Sequence, residues 1–124
     1  MIMLDTHVAI FLYEGKVGGI SARTKRDMEG TQLSLSPAVL LEIEILHEIG
    51  RVKPTSNQIV RSLREQLNVS VADDSFASIV DHAWNLAFTR DPFDRLIVAH
   101  AMLLKVPLVT YDSHIHANYR HALH

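Results

Sequence analysis

The sequence predicts an α/β fold, a three-layer sandwich of helices around a central parallel sheet of about four or five strands. Three observations carry this. Short apolar runs alternate with longer stretches of helical periodicity, the pattern of successive strand–helix units. The first and last runs, Ile2–Leu4 and Pro107–Tyr111, are continuously apolar, as strands are when helices cover both faces of a sheet. The length, 124 residues, suits one hydrophobic core, and residues 1–124 read as a single domain without repeat, linker or low-complexity stretch.

In order, Ile2–Leu4 is a short strand ending at Asp5. Thr6–Tyr13 follows as a helix stopped near Gly15, and Gly15, Gly18 and Gly19 mark one loop. Ser21 is the N-cap of a polar helix that reaches Glu29, with Gly30 at its end. Gln32–Ser36 alternates as a strand does. Ser36-Pro37 is a helix start, with Ser at the N-cap and Pro in the first helical position. That helix runs to about Ile49 and stops at Gly50. Ser56–Leu67 is the next helix, Val69–Ala72 a short strand, and Ser75–Phe88 and Phe93–Lys105 two further helices. Pro107–Tyr111 is the last strand, and a short helix or loop closes the chain.

Composition narrows the chemistry. There is no cysteine, so disulfides and thiolate metal sites are excluded, and any metal must be held by oxygen or by histidine nitrogen. No apolar run is long enough to span a bilayer, which leaves no role in a membrane. Met1-Ile2-Met3-Leu4-Asp5 lacks the basic region of a signal peptide, so the expected location is the cytoplasm. The formal net charge of -2 is not the usual sign for a nucleic-acid binder. The sum misleads if four acids belong to a metal site, because setting those aside leaves 12 basic residues against 10 acids.

Those four are Asp5, Glu42, Asp94 and Asp112. Asp5 and Asp112 each end an apolar strand, and in open parallel sheets ligands bind beyond the carboxyl ends of the strands. On a helical wheel Glu42 shares its face with Ala38, Val39, Ile45, Leu46 and Ile49, while Glu44, His47 and Glu48 lie opposite. A carboxylate on an apolar face is costly unless it is paired or binds a metal. The alternative is a Glu at the stripe's edge that reaches water or meets an arginine. Asp94 opens a helix that is apolar nearly all round, with Ile97, Val98 and Ala101 on its own face. An acid in a first turn also favours the helix dipole. Asp91-Pro92 is an N-cap pair first, and Asp91 a weaker member of the acidic set. Carboxylates gathered in one small site repel unless a cation joins them. Hard oxygen donors select Mg²⁺ or Mn²⁺, and such a site suits phosphodiester hydrolysis.

Four stretches resemble the PIN-domain family, and within it the VapC toxins of toxin–antitoxin pairs. They are Leu4-Asp5-Thr6-His7, Ser36-Pro37-Ala38-Val39-Leu40-Leu41-Glu42, Arg90-Asp91-Pro92-Phe93-Asp94-Arg95 with the following Leu96–Ala101, and Leu108-Val109-Thr110-Tyr111-Asp112. The resemblance spans nearly the whole chain, and the Asp-Pro-Phe-Asp-Arg stretch is its most specific part. It implies a metal-dependent endoribonuclease that uses Mg²⁺ or Mn²⁺ on transfer RNA or other structured RNA. It also implies a cognate antitoxin that blocks the site, and a homodimer. The family's acidic site falls on Asp5, Glu42, Asp94 and Asp112, with Asp91 at a position acidic in this subgroup. Thr6 and Thr110 match small hydroxyl positions beside the acids. His100 stands where similar sequences often carry Gln.

Other residues are candidates for RNA contact. Arg23, Lys25 and Arg26 cluster on the second helix as candidates for phosphate binding, whereas Arg61 and Arg64 read as a solvated face. Arg95 is a candidate ion-pair partner for the acids. Tyr111 could pack, or stack on a base. None of the eight histidines forms a zinc-protease pattern, and His7, two residues after Asp5, is the one placed to line a cleft. Two other functions compete. A Mg²⁺-dependent phosphatase would want a second Asp at position 7, where this chain has His. A silent RNA- or partner-binding module would not need all four acids.

Overall fold

The computed structural model of the protein describes residues Met1–His124. Five parallel strands form one sheet in the order β3-β2-β1-β4-β5, where β1 is Ile2–Leu4, β2 Leu33–Leu35, β3 Ser70–Val71, β4 Leu108–Val109 and β5 Ala122–Leu123. Central β1 is buried at every residue, as its unbroken apolar run requires. Ile2 stands opposite Leu33 on one side, and Leu4 opposite Val109 on the other. The chain first builds outward through β2 and β3, then returns to add β4 and β5 across β1. Between β1 and β4 the strand order therefore reverses, which opens a crevice at the carboxyl ends of the strands.

Seven helices flank the sheet: α1 (Thr6–Glu14), α2 (Ala22–Glu29), α3 (Pro37–Glu48), α4 (Ser56–Leu67), α5 (Phe76–Ala83), α6 (Pro92–Leu104) and α7 (Ser113–Asn118). The caps read from sequence are present: Ser21 accepts from the Thr24 amide and Ser36 from that of Ala38. Helix α6 is buried at five consecutive residues, Ile97 to Ala101, and packs against both α3 and α5. No helix is long and apolar enough to cross a membrane.

Three expectations need correction. The helix expected over Ser75–Phe88 stops at Ala83, because Arg95 reaches back to close it. Its guanidinium donates to the carbonyls of Ala83 (2.9 Å) and Trp84 (3.2 Å), acceptors that a helix end leaves unpaired. Arg95 is thus a helix-end clamp and not an ion-pair partner of the acids. The face assigned to Glu42 is also shifted. Val39 and Ile43 are the fully buried residues of α3, while Ile45 and Ile49 are exposed, so Glu42 sits at the edge of the covered face. Finally, a fifth strand, Ala122–Leu123, follows the terminal helix and extends the sheet beyond β4.

His100 ties this architecture together. It is fully buried in α6, with Nδ1 2.9 Å from the Ser36 hydroxyl at the start of α3 and Nε2 2.9 Å from Asp74 after β3. An ionised Asp74 can only accept, so Nε2 carries a proton, and in the neutral ring Nδ1 accepts from Ser36. Removing the ring strands buried Ser36, while the partly exposed Asp74 can turn to water. His100→Leu is expected to cost about 1–3 kcal/mol in denaturant unfolding. His100→Gln, which can donate to Asp74 and accept from Ser36, is expected to cost less. Equal losses for the two would show that packing volume, not hydrogen bonding, is what His100 supplies.

Candidate active site

At the crevice between β1 and β4, three chain turns each place an acid at the start of a helix. Asp5 caps α1, its Oδ1 accepting from the Thr6 amide at 2.8 Å. Asp112 caps α7, accepting from the amides of His114 (2.8 Å) and Ile115 (3.0 Å). Asp91 caps α6, accepting from Phe93 (2.8 Å) and Asp94 (3.3 Å). Asp94 then stands in the first turn of α6. The amino ends of three helices thus meet at one place, and their dipoles favour negative charge there. Glu42 arrives from the side, one and a half turns into α3.

These side chains line one cleft of about 470 Å³, made by Asp5, His7, Phe11, Glu42, Asp91, Asp94, Tyr111 and Asp112. Hollows of about 310, 340 and 390 Å³ elsewhere hold no such cluster of acids, and chemistry rather than apolar lining identifies the site. No lysine or arginine lines the cleft. Two threonines hold the acids in place. Buried Thr110 donates to Asp5 Oδ2 at 2.6 Å, and its Oγ1 also accepts from the Asp112 amide at 3.0 Å. Buried Thr6 donates to Glu42. Both hydroxyls are engaged by carboxylates and closed to solvent, which makes them positioning groups rather than open substrate contacts.

The electrostatics follow from burial and crowding. Burial raises the Asp5 carboxyl, against hydrogen bonds from Thr110 and Thr6 that lower it. Burial likewise raises Glu42, with the Thr6 hydrogen bond opposing and the charges of Asp5 and Asp91 adding. Asp94 is pushed to about 7, first by burial and then by the charges of Asp91, Asp5, Asp112 and Glu42, with no hydrogen bond to offset them.

The donor set fits a hard divalent cation. Every acid offers oxygen, the carboxyls disfavour one another's ionisation, and the lining supplies no positive side chain beyond what His7 can carry. No three Asp, Glu or His side chains stand close enough to hold one ion by themselves. Mg²⁺ takes one or two carboxylates and keeps several waters, so this spacing is compatible with it.

Of the residues singled out in sequence, Asp5, Glu42, Asp91, Asp94 and Asp112 share the cleft, and His7 lines it. Arg23, Lys25 and Arg26, on α2, do not. Lys25 instead borders a hollow formed with Leu12, Val17, Ile20 and Met28. Tyr111 packs on Phe11, with ring centroids 5.6 Å apart. Phe11 itself was missed. The available signal is its position one turn after His7, which puts the two on one face of α1.

The raised Asp94 carboxyl has a consequence for metal-free protein. The folded state holds this proton more tightly than the unfolded chain, whose ordinary value is 3.8. Its stabilising contribution is complete below that value and is lost as the pH rises toward about 7. In chelator at pH 8, Asp94→Asn is therefore expected to melt at or above the wild-type temperature, and near pH 4 the two should converge. A variant less stable by about 1 kcal/mol at pH 8 would mean that the carboxylate's interaction with the helix dipole outweighs repulsion.

Comparison with known proteins bears on the family and the fold. A family model described as the PIN domain matches residues 2–120. No curated protein matches the chain in sequence. Among solved structures, the chain is similar to one in VapBC2 from Rickettsia felis bound to a DNA fragment from their promoter. That likeness has a TM-score of 0.73 and 17% identity, and covers 100% of this chain and 98% of that one. It is also similar to a chain of a toxin–antitoxin complex from Klebsiella pneumoniae, with a TM-score of 0.68, 18% identity and coverage of 100% and 97%. A third likeness is to DNA-bound VapBC from Salmonella typhimurium, with a TM-score of 0.60, 21% identity and coverage of 88% and 84%. At these identities the structures speak for a shared fold, and the family match covers nearly every residue. The chain belongs to the PIN-domain family.

Proposed function

We propose that this single-domain chain is a metal-dependent endoribonuclease and the VapC-like toxin of a toxin–antitoxin pair. The observation that carries the reading is one cleft in which Asp5, Glu42, Asp91, Asp94 and Asp112 converge without a lysine or arginine. Membership of a family whose members are generally nucleases supports it. Asp5, Glu42, Asp94 and Asp112 would hold Mg²⁺ or Mn²⁺, with Asp91 a weaker contributor. When bound, the cation supplies charge neutralisation and activation of water for attack on a phosphodiester. The chain's own residues prepare for it. Thr110 fixes Asp5, Thr6 fixes Glu42, and Asp94 can keep a proton near neutral pH while the cation is away. The substrate class, structured RNA such as transfer RNA, comes from the family resemblance.

Two partners belong to this reading. A second copy of the chain would cover the groove where Leu41 of α3 and Phe76 of α5, both exposed, face solvent together. An antitoxin would occupy the carboxylate cleft with an arginine, whose planar fork pairs bidentately with acids. Its remaining segment would lie near α1 and α4. The neighbours' presence in toxin–antitoxin complexes supports such a partner.

The direct test is cleavage of total transfer RNA by purified protein, which should sediment as a dimer. Activity is expected with Mg²⁺ or Mn²⁺, and none with chelator. Asp5→Asn is expected to lower the rate at least about 100-fold at unchanged fold. Metal-independent cleavage, or full activity in Asp5→Asn, would reject the site. For the antitoxin, binding of the co-encoded small protein is expected to weaken as Mg²⁺ rises and to weaken in Asp94→Asn. Affinity indifferent to both would place the partner's grip outside the cleft.

A further inference from the structure

Beside the carboxylate cleft lies a second cavity of opposite chemistry. It measures about 260 Å³ and is lined by Phe11, Lys16, Gly18, Gly19 and Tyr111. Phe11 and Tyr111 also line the cleft, so this aromatic pair is the wall between the two. No carboxylate lines the smaller cavity, and Lys16 does.

Its donors are unspent. In the loop between α1 and α2, the amides of Lys16 and Ile20 donate to the carbonyls of Phe11 and Val17. The amides of Gly18 and Gly19 donate to no group of the protein. The Tyr111 hydroxyl is closed to solvent and has no hydrogen-bond partner. Buried polar groups are nearly always paired, so this orphan hydroxyl behind the cavity wall gains a partner only if the ring turns toward a ligand that has entered. Lys16 is 72% exposed and pairs only with Glu14, at 3.0 Å. Exposed ion pairs of this kind are weak and exchange readily for a stronger anion.

The loop is also shaped around the tyrosine. A Cβ on Gly19 would lie 2.9 Å from Cε1 of Tyr111 and 3.5 Å from its hydroxyl oxygen. Only glycine lets the ring lie this close to the loop. The approach brings the tyrosine ring, the two glycines with free amides and Lys16 to the same small cavity.

We infer that this cavity binds a backbone phosphate of the RNA strand next to the scissile one, through Lys16 and the Gly18 and Gly19 amides, with the Tyr111 ring as its wall. A strand whose scissile phosphate lies at the carboxylates would pass the Phe11–Tyr111 wall to reach it. The acidic cleft repels RNA until a cation arrives. A cationic pocket one step along the strand therefore supplies binding that the cleft itself lacks. Phosphate contacts fix register without reading sequence. The inference rests on the ribonuclease reading.

The test compares wild type, Lys16→Ala and Lys16→Arg on a single-stranded oligoribonucleotide that the wild type cleaves. Lys16→Ala is expected to raise KM about tenfold with kcat little changed, since it removes one charged hydrogen bond. It should also flatten the plot of log affinity against log salt by about 0.7, the value for one phosphate contact on a single strand. Lys16→Arg should recover most of both. An independent reading uses metal-free protein, in which titration with inorganic phosphate should shift the Gly18 and Gly19 amide resonances in wild type and not in Lys16→Ala. Active wild type with an unchanged KM and salt slope in Lys16→Ala would overturn the inference and leave the ribonuclease reading standing. If the wild type cleaves no RNA, that reading fails first, and amides that still respond to phosphate would mark a site for a small anion, not for RNA.

Discussion

The repulsion among carboxylates gathered at one sheet edge is the constraint around which the rest of the molecule is arranged. Each acid except Asp94 is held by a feature that compensates its charge without removing it. Asp5, Asp91 and Asp112 accept hydrogen bonds from the first amides of α1, α6 and α7. Thr110 and Thr6 add donors to Asp5 and Glu42. Asp94 has no such donor, and it is the acid whose carboxyl rises furthest, to about 7. The caps that start three helices and the acids of the cleft are largely the same residues. Stability and the candidate chemistry are therefore coupled at these positions.

Much of this was legible in the chain itself. An Asp directly after an unbroken apolar run marks the carboxyl end of a buried strand, which located Asp5 and Asp112. An acid amid apolar helical residues marked Asp94, and Asp-Pro marked the cap at Asp91. Glu42 was legible as out of place, though not its true position. A helical wheel gives the breadth of an apolar stripe but not which part is covered, so Ile45 and Ile49 fall on the apolar face and yet are exposed. The early end of α5 depends on Arg95, twelve residues beyond Ala83, whose reach no local pattern encodes. Strand β5 has two residues, too few to show a period. The cavity beside the cleft depends on Tyr111 lying against Gly19, a contact between the two ends of the chain.

The packing beneath the site explains how two helices hold their acids at a set spacing. Glu42 rides on α3 and Asp94 on α6, and these helices touch. His100 links the start of α3 to the loop after β3 from within α6, at no exposure to solvent. A buried polar link of this kind specifies one docking arrangement where apolar contacts alone would allow several. The ring lies less than two turns from Asp94 along the same helix, so the contact that fixes helix docking is set apart from the charges it serves.

The pairing of β1 with both β2 and β4 carries a consequence for the order of assembly. Strand β1 and the acid that follows it lie at the start of the chain, but the hydroxyl that holds that acid comes from Thr110, 105 residues later. Loop closure over such a separation is slow and comes late relative to local helix formation. A nascent chain that has not yet supplied β4 lacks Thr110 and Asp112, and lacks one wall of the crevice. The acids delivered by α1, α3 and α6 then have no common site to share. In this topology the carboxylate cleft is complete only once the strand beside the first one has docked.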